Sequence, residues 1–255
     1  MIGAIAGDII GSVYEHDGIK TKGFPLFHPA CEFTDDTVLT VAIADAILSG
    51  QPYLHSVRTI ARRHPNAGYG ASFHRWLHSP DSRPYNSWGN GSAMRVSPVG
   101  FAFSSEDEVL TQARLTAEIT HNHPEGIKGA EATALAVFLA RTTRDKALIR
   151  TRITRQFGYD LNRTLDSIRP AYSFDISCQG TVPEALIAFL ESDSYEDAVR
   201  NAISLGGDSD TLACIAGGIA EAFYGGVPAE ITDRVQQTLT ADLWEVTEQF
   251  RAQYF

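Results

Sequence analysis

Lysine is scarce in this sequence, which contains only four: Lys20, Lys22, Lys128 and Lys146. The formal net charge is −10, from 31 acidic and 21 basic side chains. A protein that binds the phosphate backbone of nucleic acids needs clustered lysine and arginine, so the composition argues against generic nucleic-acid binding. It is compatible with an anionic small-molecule ligand, because a metal ion or a helix N-terminus supplies local positive potential.

Cysteines and long apolar runs are equally sparse. Cys31, Cys178 and Cys214 stand apart with no Cys-x-x-Cys, which predicts neither a disulfide framework nor a zinc knuckle and suits a reducing compartment. The first residues lack the basic start of a secretory signal, and Asp8 interrupts their apolar stretch. No run approaches the roughly 18–20 apolar residues of a membrane helix. We therefore expect a cytoplasmic protein that does not contact membranes.

Alternating strand patterns are nearly absent, and residues 173–178 are the one short candidate. Helical periodicity dominates instead, with small and apolar residues at helical spacing. The clearest helical segments are 36–49, 129–141, 210–224 and about 229–253. With no internal repeat, low-complexity tract or linker, the sequence predicts an all-α protein: a single compact domain of stacked helices over residues 1–255.

Capping residues indicate where several of these helices begin. Ser105, followed by Glu108, has the spacing of a capping box, and Ser194 with Asp197 begins another helix. Pro183 suits the first turn of a helix that ends near residue 191. These positions leave several polar segments outside the helices, and the chemistry is expected there.

Two acidic segments each stand directly before an apolar helix: EFTDDT at 32–37 and GGDSDT at 206–211. Either one alone is compatible with simple capping, since Ser, Thr and Asp are common N-caps and acids complement the helix dipole. Capping needs only one oxygen, however, and each segment offers at least three. Carboxylate and hydroxyl oxygens are the ligands that Mg²⁺ and Mn²⁺ accept.

If the two segments meet, four aspartates share one site. Two unit charges about 4 Å apart repel by about 4 kcal/mol at an effective dielectric constant of 20. Such a group stays ionised only with cations between its members, and two divalent ions would balance four charges. The spacing along the chain leaves open whether the segments meet.

Five motifs follow one another along nearly the whole chain: GDIIGSVYE at 7–15, EFTDDT at 32–37, GNGSAMRVSPVG at 89–100, THNHPEGIKGA at 120–130 and GGDSDT at 206–211. In this order they resemble the ADP-ribosylglycohydrolase family, which includes the dinitrogenase reductase-activating glycohydrolase. The resemblance implies an all-α fold, two Mg²⁺ or Mn²⁺ ions, and hydrolysis at C1″ of the distal ribose. The expected partner is an ADP-ribosylated protein or a small ADP-ribose conjugate.

The resemblance also implies roles for particular residues. Its metal ligands would be Thr34, Asp35 and Asp36 from the first acidic segment, and Asp208, Asp210 and Thr211 from the second. Glu15, at the end of GSVYE, resembles the glutamate beside the metals in serine-type members, and with Asp36 it is the expected catalytic residue. Without the resemblance, Glu15 would be a surface carboxylate just past the first helix.

Substrate binding is expected at a glycine-rich segment that resembles the family's pyrophosphate loop, formed by Ser87, Trp88, Gly89, Asn90, Gly91 and Ser92. Glycines let a backbone approach a ligand, and adjacent N–H groups bind phosphate without net positive charge. An ordinary Gly/Asn turn explains the same residues taken alone. By resemblance His121 touches ribose or phosphate, whereas His123 is structural; the pair lacks further zinc ligands.

Three more residues are singled out, of which Arg95 and Phe174 each have two interpretations. Asp8 is most simply a buried hydrogen-bonding residue near the site. Arg95 either binds phosphate or forms a structural ion pair. Phe174 either stacks on adenine or belongs to the core.

Two other functions stay open from the sequence. One is a dinuclear-metal phosphoesterase that uses the same carboxylates. The other is a non-catalytic, ADP-ribose-binding or structural member of the fold, although the presence of all six ligands argues against it. The linkage that is cleaved is also open, since Tyr14-Glu15 only weakly favours O-linked substrates.

Overall fold

The computed structural model describes residues 1–255, and its regular structure is helical. Fifteen α-helices follow one another: α1 (Ile2–Gly11), α2 (Asp35–Ser49), α3 (Tyr53–Arg63), α4 (Ala71–His78), α5 (Gly91–Met94), α6 (Ser97–Ala102), α7 (Glu106–Glu118), α8 (Pro124–Thr143), α9 (Lys146–Phe157), α10 (Leu165–Ile168), α11 (Cys178–Leu190), α12 (Tyr195–Ile203), α13 (Ser209–Tyr224), α14 (Ala229–Thr238) and α15 (Ala241–Tyr254). A short 3-10 turn over Ser12–Tyr14 extends α1. The predicted all-α class is confirmed.

Helix α13 lies at the centre of the molecule. Its residues from Ser209 to Ala222 are all buried, and it packs against α1, α8, α11 and α12. A helix buried on every side must be built from small and apolar residues, as its sequence SDTLACIAGGIAEAFY is. The buried apolar residues form one continuous core that extends from Met1 to Phe250.

Glycines on one face of α1 allow it to lie unusually close to α13. A β-carbon on Gly7 would overlap the backbone carbonyl of Ala213, and one on Gly11 would lie 2.6 Å from the Asp210 Cα atom. Because glycine has no side chain, the backbones of the two helices can come into contact at these positions. This close packing places the residues at the end of α1 beside the start of α13, where the GGDSDT segment lies.

Several predicted helix starts are confirmed. The hydroxyl of Ser105 accepts a hydrogen bond from the Glu108 amide, and that of Ser194 accepts one from the Asp197 amide. Helix α2 ends at Gly50 in the left-handed conformation (φ 68°), as the glycine there predicts. The C-terminal periodic segment forms two helices, α14 and α15.

Two local predictions were wrong. Pro183 lies inside α11 and not in its first turn, because Ser177 caps the helix by accepting from the Gly180 amide and so starts it earlier. Residues 173–178 do not form a strand: their pairing is a single antiparallel bridge between Gly89 and Ser177, after which the chain turns helical at Cys178.

Two further observations concern the cysteines and the lengths of the helices. All three cysteines are unpaired. None of the helices combines the length and the apolar character that crossing a bilayer demands.

Candidate active site

The two acidic segments meet in the structure. The hydroxyl of Thr211 donates a hydrogen bond of 3.3 Å to Oδ2 of Asp36, across 175 positions of sequence. Glu15 joins them from the end of α1: its carboxylate and those of Asp208 and Asp210 offer oxygens that all lie within 4.8 Å of one another. The starts of α2 and α13 and the end of α1 therefore form one acidic cluster.

Asp8, fully buried on α1, ties α1 to the start of α2. It accepts hydrogen bonds from the backbone amides of Thr34 (2.9 Å) and Thr37 (3.1 Å), and from both threonine hydroxyls. Its interpretation as a buried hydrogen-bonding residue is confirmed. Because Asp8 receives the hydroxyl proton of Thr34, the oxygen lone pairs of Thr34 are directed away from Asp8.

The carboxylates of the cluster hold their protons more tightly than usual. Enclosure in the floor of the site, with added repulsion from neighbouring aspartates, raises the pKa of Asp35 to about 8. The same two causes raise the pKa of Asp36 and of Asp210 well above the ordinary value. Burial also raises the pKa of Asp208 and, together with repulsion from Asp208, that of Glu15.

Basic side chains do little to offset this negative charge. The only basic side chain that contacts these carboxylates is His16, whose exposed ring lies 3.5 Å from Glu15. Oδ1 of Asp36 is buried and has no hydrogen-bond partner at all. A buried carboxylate oxygen without a donor is costly, and a cation is the partner that such an oxygen lacks.

A cavity of about 480 Å³ opens above the cluster. Its floor includes all of the cluster's carboxylates, and its walls come from separate loops: Gly68, Gly70, Tyr85, Gly89, Gly91, His121, Phe174 and Ile176. Phe174 is 54% exposed, so it is a residue of the rim and not of the core. The volume lies within the range of ordinary small-molecule sites.

The glycine-rich segment lies along one wall, and hydrogen bonds within the protein fix its shape. The Ser87 hydroxyl accepts from the Gly89 amide at 3.1 Å, and the Asn90 amide donates to the Ile176 carbonyl at 2.8 Å. The Asn90 side chain points to the acidic cluster, where its Nδ2 donates to Asp208 at 2.7 Å and to Thr181 at 3.1 Å. Asn90 thus connects the predicted substrate loop to a predicted metal ligand.

Two residues of this segment lie outside the cavity lining. Ser92 is fully buried, and its hydroxyl donates to the Gly126 carbonyl at 2.7 Å. Trp88 is 46% exposed at the surface beside the cavity. The cavity wall is therefore formed by Ser87, Gly89, Asn90 and Gly91.

The two neighbouring histidines have different surroundings. His121 is 5% exposed and lines the cavity, and burial followed by repulsion from Arg95 lowers its pKa well below the ordinary value. His123 is the N-cap of α8, where its Nδ1 accepts from the Glu125 amide at 3.1 Å. The structural interpretation of His123 is confirmed.

Some residues of the site were not predicted individually from the sequence. Tyr85 and Ile176 line the cavity, yet each is a single apolar or aromatic residue in a polar loop. Thr181 holds the Asn90 amide from inside α11. Of the two interpretations of Arg95, the structural ion pair is not found: its guanidinium donates to the Thr116 carbonyl and the Thr120 hydroxyl.

Fold and site together define a class of protein: an all-helical molecule with an acidic, oxygen-rich cluster beneath a ligand-sized cavity. The sequence comparison specifies that class. The family model described as ADP-ribosylglycohydrolase matches residues 1–254, and the chain belongs to this family.

Individual relatives agree with this assignment. The mouse and human proteins named ADP-ribosylhydrolase ARH3 are each 28% identical to the chain, over 88% of it and over 82% and 84% of their own lengths. A protein of Pseudomonas putida (strain GB-1) named ADP-ribosylarginine hydrolase Tri1 is 26% identical, over 92% of the chain and 72% of its own length.

A solved structure shares the fold. Its title is ADP-ribosylglycohydrolase-related protein complex, and it superposes with a TM-score of 0.72 over 100% of this chain and 97% of its own. The sequence identity of that pair is 22%, so this likeness concerns the fold alone.

Proposed function

We propose that this protein is a metal-dependent glycohydrolase that cleaves the bond between C1″ of the distal ribose of ADP-ribose and a modified side chain or small molecule. The convergence of the two acidic helix starts beneath one cavity carries the proposal. Family membership and the names of the relatives supply the substrate class. Residues 1–255 would act as one unit in the cytoplasm.

The residues fit a pair of divalent cations. Thr34, Asp35, Asp36, Asp208, Asp210 and Thr211 would hold two Mg²⁺ or Mn²⁺ ions, with oxygen atoms throughout, as hard cations require. Asp36 has an unpartnered oxygen. The Thr34 hydroxyl donates to Asp8 and accepts from the Asp36 amide at 3.3 Å, which leaves one lone pair for a ligand bond. When bound, the cations would neutralise the carboxylates, fix ribose hydroxyls and lower the pKa of a nearby water.

Glu15 and Asp36 are the proposed groups for proton transfer. Glu15 is partly exposed at the edge of the cluster, and burial with repulsion from Asp208 raises its pKa, the direction that helps a carboxyl group to act as an acid. Asp36 is buried at the junction of the two segments. Since coupled carboxylates titrate as a group, the acid and base roles belong to the pair. Glu15, which is not among the proposed ligands, would in its ionised form stabilise positive charge that develops at C1″.

The diphosphate would lie along the glycine-rich wall. The amides of Gly89 and Asn90 are already engaged within the protein, so the contacts would come from Ser87, Gly91 and His121. Trp88 would contact the outer part of the ligand from the surface, while Ser92 would support the loop from below through Gly126. Both contribute to substrate binding in this proposal, although neither lines the cavity.

Product analysis tests the reaction. Arginine-, serine- and O-acetyl-linked ADP-ribose would be incubated with the protein and Mg²⁺ or Mn²⁺, and the products separated by chromatography. A glycohydrolase releases free ADP-ribose, whereas a phosphoesterase that cuts the diphosphate releases AMP and leaves the phosphoribosyl group attached to the conjugate. Binding without turnover across the panel would instead identify a non-catalytic member of the fold. Chelation should abolish the activity and metal addition should restore it.

A matched pair of variants tests the cluster. Asp210→Asn should lower the rate by at least about 100-fold, because losing even an outer-shell partner of a metal costs roughly 10–100-fold. Asp233→Asn makes the same chemical change at an exposed position of α14 and should keep full activity. Full activity in Asp210→Asn would remove the second acidic segment from the mechanism.

A further inference from the structure

Arg95 is a buried cation without an acidic partner. It is 0% exposed, and its Nη2 donates to the Thr116 carbonyl at 2.7 Å and to the Thr120 hydroxyl oxygen at 2.8 Å. Its Nε and Nη1 atoms have no hydrogen-bond partner. The Thr116 carbonyl is one of the last four of α7, so the negative end of that helix compensates the charge. The charge of Arg95 therefore lies at the C-terminal end of α7, next to Thr120 and close to His121.

Thr120 connects this charge to His121. The Thr120 hydroxyl oxygen lies 2.7 Å from Nδ1 of His121, which is hydrogen-bond distance. Arginine has only donors, so Thr120 is the acceptor in its bond with Arg95. The single hydroxyl proton of Thr120 is then free to be donated to Nδ1. The fixed positive charge behind Thr120 also favours a bare lone pair at Nδ1 over an N–H group there.

The ring of His121 is uncharged in these surroundings. Burial and the repulsion from Arg95 lower the pKa of His121 well below its ordinary value. The C-terminal end of α7 alone would favour the charged ring, but Arg95 already occupies the Thr116 carbonyl there. A neutral imidazole that accepts at Nδ1 carries its proton on Nε2.

Nε2 of His121 faces the glycine-rich wall of the cavity. A β-carbon added to Gly91 would lie 3.2 Å from this atom, and one added to Gly89 would lie 3.7 Å from it. No side chain on Gly89 or Gly91 covers the ring, and all three residues line the cavity in which a ligand would lie. An N–H group held there in a buried site is a preorganised donor for a phosphate or hydroxyl oxygen.

We propose that Arg95, acting through Thr120, is a positioning residue that holds His121 as the Nε2–H tautomer, so that His121 donates a hydrogen bond to a ligand oxygen on the Gly89–Gly91 loop. The identity of that ligand as ADP-ribose rests on the function proposed above. The tautomer itself depends only on the protein and is present before any ligand binds.

The opposite arrangement makes a different prediction. If Nδ1 of His121 carried the proton and donated to Thr120, Nε2 would be an acceptor, suited to a ligand hydroxyl or a metal and repelled by phosphate oxygens. The Thr120 proton would then need another acceptor. The hydroxyl of Tyr85, which also interacts with Thr120, is a group of that kind.

Nitrogen NMR of the histidine side chains distinguishes the two arrangements. Two-bond ¹H–¹⁵N spectra of the metal-free protein at pH 7 report the protonation of each ring nitrogen, and His121→Gln identifies the His121 signals among those of eight histidines. We expect a neutral Nε2–H ring in the wild-type protein. A charged ring or a predominant Nδ1–H form in the wild-type protein would overturn the proposal, whether or not any variant folds.

Variants of Thr120 test the connection. Thr120→Val removes the hydroxyl and should convert the single tautomer into a mixture, whereas Thr120→Ser should keep the Nε2–H form. Thr133→Val is the control, because Thr133 is equally buried on α8 and its hydroxyl has no partner; it should leave the His121 signals unchanged. Unaltered tautomer populations in Thr120→Val would refute the role of Arg95 and Thr120.

Calorimetric titration with ADP-ribose tests the ligand contact separately. Loss of the aligned donor in Thr120→Val should weaken binding about tenfold, the effect of one good hydrogen bond, and Thr120→Ser should recover most of it. Equal affinity in Thr120→Val and the wild-type protein would remove the ligand contact. If ADP-ribose does not bind the wild-type protein, the proposed function fails, while the spectra still decide the tautomer.

Discussion

Replacing one aspartate of the cluster should stabilise the protein when no metal is bound. Asp210 is 5% exposed, and its carboxylate is within 4.8 Å of those of Glu15 and Asp208. Burial and repulsion hold the pKa of Asp210 well above that of an unfolded chain. The folded protein therefore takes up a proton that the unfolded chain releases. The stabilisation that this proton uptake gives the folded protein is fully present below about pH 4, and it is lost as the pH rises toward the raised pKa.

The size of the effect follows from this proton uptake. Each pH unit in that window costs up to about 1.4 kcal/mol of unfolding free energy for one such group. Asparagine cannot titrate, so the advantage of Asp210→Asn over the wild type should widen with each pH unit between about pH 4 and the raised pKa, by up to about 1.4 kcal/mol a unit. For a protein of this size each such unit corresponds to roughly 3–6 °C in Tm. Two carboxylates whose oxygens lie within 4.8 Å of one another repel by at least about 3.5 kcal/mol at a dielectric constant of 20.

Thermal unfolding followed by circular dichroism, in chelator at pH 5, 6 and 7, measures this difference. Asp233→Asn, at an exposed position of α14, should show no such pH trend. Mn²⁺ should raise the Tm of the wild type, most strongly at pH 7, because metal binding requires ionised carboxylates. A pH-independent difference between Asp210→Asn and the wild type, or a less stable variant at pH 7 in chelator, would refute this reasoning.

Three further predictions concern packing, metal affinity and ligand contact. Gly7→Ala should lower the unfolding free energy by about 3 kcal/mol in urea titrations, because the added β-carbon overlaps the Ala213 carbonyl; an unchanged midpoint would contradict the close contact. Asn90→Ala should weaken Mn²⁺ binding roughly 10–100-fold by calorimetry, since it removes the donor to Asp208, and unaltered affinity would exclude that role. Trp88→Ala should weaken ADP-ribose binding while leaving Tm within about 1–2 °C, because a half-exposed side chain contributes little to the core; a large loss of stability would point instead to a structural role.

The sequence by itself predicted the helical architecture. Apolar periodicity and capping residues are local signals, so Ser105, Ser194 and the start of α2 could be located from a few neighbouring positions. The same local reasoning placed Pro183 wrongly, because a cap at Ser177 begins the helix earlier and tolerates the proline inside it. The apolar alternation of residues 173–178 found no partner strand beyond one bridge to Gly89.

The acidic segments were equally visible in the sequence, since two carboxylates and a hydroxyl at a helix start exceed what capping needs. Only the tertiary structure brought Asp36 and Thr211 into contact, because their convergence depends on how closely α1 can approach α13. Spacing along a chain carries no information about such long-range packing. The direction of the Asn90 side chain and the hydrogen bonds that join Arg95 to His121 were decided in the same way. Each depends on residues distant in sequence being held at hydrogen-bond distance by the core.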